Sequence, residues 1–219
     1  TWDAPYVGTF DGGRYTITGL TIDASDTDYP QSYQQAGLFG ILKGVVQNVN
    51  FADVTVQGAY HVGVVAGYNY GIIKGCNLTG CAVSGTMYIG GVVGTNEGII
   101  SKCIVDATSA VTDNGKDSGA YVGGIVGHNN GNILACLCYA DVALTSVGGY
   151  QSLGGIVGNH GDGAVVACGF AGILSYLPES TNLDCGGVIG TKGQYGSLYG
   201  SWTLGGYPLV SEDFSATTT

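Results

Sequence analysis

Charge, arginine and proline are scarce in this 219-residue chain, and each scarcity excludes something. Charged residues make up 10%, and Arg14 is the sole arginine among six cations set against 16 carboxylates. A net charge of −10 with no basic run offers nothing to neutralise a phosphate backbone, so a nucleic-acid partner is not expected. The same balance gives an anionic membrane nothing to hold. No uninterrupted apolar run reaches ~18 residues, so no membrane insertion is expected in this segment. No signal peptide is recognisable and the first residue is Thr1, which reads as a mature or excised fragment. The closing FSATTT reads as the start of a Thr-rich linker.

Glycine is the opposite case, with 41 residues that follow no collagen-type triplet. Helical spacing cannot be sustained through so much glycine. The glycines instead mark a repeat. AGLFG ends at Gly40, GVVAG at Gly67, GGVVG at Gly94, GGIVG at Gly127, GGIVG at Gly158 and GGVIG at Gly190, at intervals of 27, 27, 33, 31 and 32 residues. Downstream, GYNYGIIKGC (67–76), GTNEGIISKC (94–103), GHNNGNILAC (127–136) and GNHGDGAVVAC (158–168) are one motif. Apolar runs last three to five residues, and FADVTVQG (51–58) alternates with period two, so each unit reads as two or three short strands. Such a unit cannot bury its apolar face alone, and stacking copies solves the problem. The expected fold is all-β: a single right-handed parallel β-helix of about six rungs, ~4.8 Å apart. Residues 1–35 are expected to form an N-terminal cap and first rung, 36–200 the repeats, and 201–219 a closing segment or linker.

In a stack, each alignment column becomes a ladder. Asn69, Asn96 and Asn129 share a column before a glycine, where Asn suits a left-handed turn and stacked amides can bond along the axis. Cys76, Cys103, Cys136 and Cys168 share another. For these, three readings stand: a ladder of small buried hydrophobes, at least one disulfide, or a metal site whose spacing matches no zinc pattern. Cys185 falls in a column with Val62, Ile89, Val122 and Leu153, which argues for an inward position.

The pattern G-[GL]-[IVL]-[VF]-G-x-N-x-G-x-[IV]-x-x-C resembles the GLUG motif found in tandem in bacterial surface and adhesin-like proteins. The preamble YVGTFDGGRYTITGLTID (6–23) is similar to the segment that often precedes such arrays, and the resemblance covers residues 6–200. It implies an extracellular or cell-surface β-solenoid inside a larger adhesin or near a wall-linked protease, and it transfers no catalytic residue. The cysteine column departs from the family, where Ser or another small residue is commoner.

No catalytic chemistry or cofactor is implied by the remaining motifs. GGVVGTNEG lacks a P-loop lysine and a following helix. Polysaccharide lyases of this shape need a basic residue, yet Arg14 is expected to lie away from the array. Hydrolases need paired carboxylates, whereas Asp53, Asp106 and Asp141 read as turn formers. Asp23, Asp26 and Asp28 form a weak Ca²⁺ candidate that reads first as a solvated loop. His61, His128 and His160 read as loop residues. Tyr33, Tyr60, Tyr88, Tyr121 and Tyr150 each precede a glycine-rich strand, forming either a stripe for a glycan or a host or cell-surface protein, or a self-stacked ladder. The function expected is a non-catalytic surface module for adhesion or spacing. The alternatives are a subunit that self-associates end to end into a filament or sheath, and a polysaccharide-active β-helix enzyme.

Overall fold

The computed structural model describes residues 4–25, 34–115, 119–180 and 182–211. The repeat builds five strands per circuit of the chain. One circuit comprises Val45–Gln47, Asn50–Ala52, Thr55–Gly58, His61–Val62 and Ala66–Asn69. The next begins at Ile72–Lys74, which pairs in parallel on Val45–Gln47. Among the described residues the strands assemble into five parallel sheets, two of seven strands and three of six, each gaining one strand per circuit. The fold is therefore an all-β stack of parallel strands of the β-solenoid kind. No helix among the described residues is long and apolar enough to cross a membrane.

Five strands replace the two or three expected per unit because the chain turns between each strand and the next, and three of these corners carry the motif residues. The first precedes the cysteine column. There Asn48, Gly75, Lys102, Ala135 and Ala167 all take φ between +52° and +62°. Each donates its backbone N–H to the next circuit, as in Lys102 N to Leu134 O at 3.0 Å. The second corner carries the asparagines. The third is the glycine-rich stretch, where strands such as Tyr88–Gly90 and Val93–Asn96 almost touch.

Each short strand turns one apolar side chain inward. Val46, Ile73, Ile100, Ile133 and Val165 form one fully buried column, with neighbours such as Ile72 and Lys74 exposed. Val62, Ile89, Val122, Leu153 and Cys185 stack in register as another. Burying each Val, Leu or Ile is worth about 1.5–3 kcal/mol against exposure, so the core depends on the whole stack and not on one unit.

Arg14 does not lie away from the array. Its backbone N–H bonds to Asn48 O at 2.7 Å, and Asn50 Nδ2 donates to Arg14 O at 2.7 Å. The strands flanking it, Thr9–Asp11 and Thr16–Thr18, pair directly on the first repeat.

Candidate functional site: an aromatic crease

Two of the five sheets meet in a re-entrant crease on the outside of the stack. One contains His61–Val62, Tyr88–Gly90, Tyr121–Gly123 and Gln151–Gly154, and the other Ala66–Asn69, Val93–Asn96, Val126–Asn129 and Val157–His160. The motif glycines make the crease. A Cβ at Gly94 would collide with the Val62 backbone nitrogen, and one at Gly127 with that of Ile89. Backbone thus lies on backbone, and outward side chains from the two sheets face one another.

The tyrosines line this crease, but not as one column. Tyr88 pairs in register with Tyr121, and the column runs Gln35, His61, Tyr88, Tyr121, Ser152, Asp184. Tyr60 precedes His61 by one residue and Tyr150 precedes Ser152 by two. Register follows the inward apolar residue, and with a period of two a one-residue offset changes the face. The inward residue stands five residues before each motif glycine, whereas Tyr60, Tyr88, Tyr121 and Tyr150 stand seven, six, six and eight before theirs, so only Tyr88 and Tyr121 share a column. Tyr33 lies outside the described residues.

The four described tyrosines still join into a ribbon. Ring centroids lie 6.3 Å apart for Tyr60–Tyr88, 5.5 Å for Tyr88–Tyr121 and 6.4 Å for Tyr121–Tyr150. His61 stacks on Tyr88 at 4.9 Å, and His128 sits 5.6 Å from Tyr88. Tyr68 stands 5.2 Å from His61 and stacks on Tyr70 at 4.7 Å. The rings support one another, and Tyr150 keeps 43% of its surface exposed.

The histidines are strand residues and not loop residues. His61 Nδ1 lies 2.8 Å from Thr95 Oγ1, and burial, with His128 nearby, pushes its pKa down to about 4. Burial also lowers His128. Its Nδ1 bonds to Asn159 Oδ1 at 3.1 Å, while Asn130 Nδ2 reaches Nε2 at 3.2 Å and Glu97 Oε1 at 3.0 Å. Both histidines are therefore neutral near pH 7, and Tyr68 bonds the Glu97 side chain at 3.2 Å. At its far end Tyr150 bonds Asp184, which also accepts from Thr191 at 2.8 Å. Burial raises the Tyr88 and Tyr150 phenols, so both stay protonated. Rigid faces edged with hydroxyls and amides suit a sugar ring or a peptide side chain.

The other sequence candidates fall elsewhere. Asn69, Asn96 and Asn129 are fully buried and bond in series: Asn69 Nδ2 donates to Asn96 Oδ1 at 2.7 Å, and Asn96 Nδ2 to Asn129 Oδ1 at 2.7 Å. Asn129 Nδ2 continues to His160 Nδ1 at 3.0 Å, and His160 Nε2 lies 3.3 Å from Ser197 O. Cys76, Cys103, Cys136 and Cys168 are buried free thiols in the corner preceding the next sheet. Burial pushes Cys138 up to about 12 and Cys185 up to about 11. Asp23 accepts from Ser25 N at 3.0 Å and Ser25 Oγ at 2.6 Å, the geometry of a local turn. Asp26 and Asp28 lie outside the described residues. Among the described residues no group of three His, Cys, Asp or Glu side chains is placed to hold a metal ion. The sequence reading missed Tyr68, Thr95 and the Asn130–Glu97 pair. Their positions one residue either side of the asparagine column are the signal that could have found them.

No protein-family model matches the chain. A 67-residue stretch, 30% of this chain and 1% of the relative, is 40% identical to Halomucin of Haloquadratum walsbyi (strain DSM 16790 / HBSQ001). The fold superposes with a TM-score of 0.74 and 25% identity on a Bacteroides ovatus protein provisionally named an immunoglobulin A1 protease. That match covers 89% of this chain and 59% of the Bacteroides chain. The chain thus spans a small part of the first protein and a little over half of the second.

Proposed function

We propose that this chain is a non-catalytic repeat module of an extracellular, cell-surface protein: a right-handed parallel β-helix of about six rungs, akin to GLUG-type bacterial surface repeats. Its work is adhesion, with the aromatic crease taking a glycan or a cell-surface protein. The observation that carries this reading is the ring ribbon from Tyr60 to Tyr150, held in the crease of a rigid stack. The likeness of a third of the chain to Halomucin supports an extracellular setting. Carboxylate placement speaks against glycoside hydrolysis. Glu97 and Asp184 belong to circuits three apart, roughly 14 Å along the axis at ~4.8 Å per step, where paired carboxylates need about 5–9.5 Å. The name of the Bacteroides protein raises proteolysis, but Ser152 Oγ donates to the Gly158 carbonyl at 2.6 Å and accepts from Thr191, with no histidine on it.

A glycan and surface-protein array probed with the wild type and a Tyr88→Ala/Tyr121→Ala variant tests the reading. The wild type is expected to bind and the variant to lose binding. Equal binding by both, or release of reducing ends from a bound glycan, overturns it.

A second reading, end-to-end self-association, rests on the last circuit. Tyr199, Trp202 and Leu204 are exposed beside the outermost strands of two sheets, and open strand edges with apolar side chains invite pairing. Regular fibres in electron micrographs of the purified protein would favour it.

A further inference from the structure

The chain holds six cations in all, yet three of them line one groove. The groove, about 620 Å³, lies along the outer side of the corner that buries the cysteines. Arg14, Lys74 and Lys102 supply its charge, and Asn48, Asn50 and Asn77 its amides. The corner geometry explains the convergence. Arg14, Asn48 and Lys102 all take the left-handed backbone, at φ 67°, 54° and 54°. At Asn48 and Lys102 that conformation turns the following apolar residue, Val49 or Cys103, into the core and leaves the side chain of Lys102 outside, whereas Tyr15 after Arg14 stays exposed. Gly75, in the same column between Asn48 and Lys102, leaves the groove floor empty. On the flanking sheet, Asn77 Nδ2 donates to Asn50 Oδ1 at 3.1 Å, setting an amide pair along the axis.

The three cations come from the first, third and fourth circuits, so they span about 14 Å at ~4.8 Å per step. Among the described residues none of them makes an ion pair. Asp11 is the carboxylate at the rim, and it is occupied by Gly13 N, Asn48 Nδ2 and Gln47 Nε2. In a chain of net charge −10, such a concentration of unpaired positive charge in a concave site is the arrangement that captures an anion.

We propose that this groove binds an acidic glycan, a polysaccharide carrying carboxylates or sulfates at successive units. Arg14, Lys74 and Lys102 meet the acid groups, and the Asn50–Asn77 pair meets hydroxyls. An extended polymer matches a groove whose charges repeat along one axis. Nucleic acid fits less well: three cations neutralise few phosphates, and the groove lining contains no aromatic ring on which a base can stack. The site is separate from the aromatic crease and does not depend on the adhesion reading.

Titration calorimetry of the intact protein decides it, with oligogalacturonate, a sulfated chondroitin oligosaccharide, neutral dextran and single-stranded DNA as probes. Binding is expected for at least one acidic glycan, the two arms separating carboxylate from sulfate recognition, and affinity is expected to fall as salt rises. Lys74→Gln/Lys102→Asn should weaken it by about tenfold or more, since contacts to charged groups carry that much; Asn at 102 retains the left-handed turn. Tyr88→Ala/Tyr121→Ala should leave it unchanged, so failure here and failure of the crease are distinguishable. Circular dichroism confirms that each variant is folded. Equal binding of dextran, unchanged affinity in the folded lysine variant, or preference for DNA overturns the proposal.

Discussion

Two buried columns run along the stack, and they are held in different ways. Asn69, Asn96 and Asn129 are each fully enclosed, each amide donates to the next circuit, and the oxygens of Asn96 and Asn129 accept from the previous one. The same oxygens cap the turn, as when Gly98 N donates to Asn96 Oδ1 at 3.2 Å. Cys76, Cys103, Cys136 and Cys168 are equally enclosed, but each thiol points at a carbonyl two residues back in its own circuit, at 3.4–3.8 Å, and Cys168 Sγ also makes a weak hydrogen bond to another circuit, to Ile133 O at 3.7 Å. The asparagine column is therefore directional and interlocked; the cysteine column is space filled by small apolar groups. A buried amide fixes which circuit lies on which, whereas a thiol only asks that the space be filled. That register sets Tyr88 over Tyr121 and Lys102 beside Lys74's circuit.

The sharpest way to break the contrast is Asn96→Ala. It removes two amide–amide bonds, takes from the Asn69 amide one of its two acceptors, leaving Gly71 O at 3.4 Å, and removes the side-chain acceptor of the Gly98 N–H. A cost of about 3–5 kcal/mol is expected in denaturant unfolding. Acid attacks the polar side next. The unfolded chain's histidines take up protons from about pH 6.5 downward, while buried His61 holds out until about 4. The histidine contribution to stability should thus be flat above pH 6.5, and His61 should cost about 3 kcal/mol between pH 6.5 and 4. His160, also lowered by burial, adds to the loss, because a proton on Nδ1 removes the acceptor for Asn129 Nδ2. Melting temperature against pH checks both. On the apolar side, Cys103→Ala should cost only about 1 kcal/mol, the transfer and cavity terms of one small group. The smallest effect has the opposite sign: Ala135→Gly relieves a left-handed alanine at φ 52° and should stabilise by about 0.5–1 kcal/mol.

Much of the stack was legible in the sequence because the column logic is linear. The asparagines and the inward set ending at Cys185 sit at fixed offsets from motif glycines, and the cysteines do so up to one inserted residue before Cys168. The tyrosine column was not, because the spacing between each tyrosine and the inward residue varies from one to three, as Tyr88–Ile89 and Tyr150–Leu153 show. The cationic groove escaped for another reason. Arg14, Lys74 and Lys102 lie far apart in the chain and fall in different alignment columns; a left-handed corner with two extra residues in the first circuit brings them together. Net charge averaged over the chain concealed a local excess of the opposite sign.

The most direct test of the interlocked column is a pair of double-mutant cycles on unfolding free energy: Asn96→Ala with Asn129→Ala, and Cys103→Ala with Cys136→Ala. The amide pair should show a coupling above about 1 kcal/mol and the thiol pair one below about 0.5 kcal/mol. Equal couplings in the two cycles would contradict the claim that the asparagines, and not the packing of the core alone, hold the circuits in register.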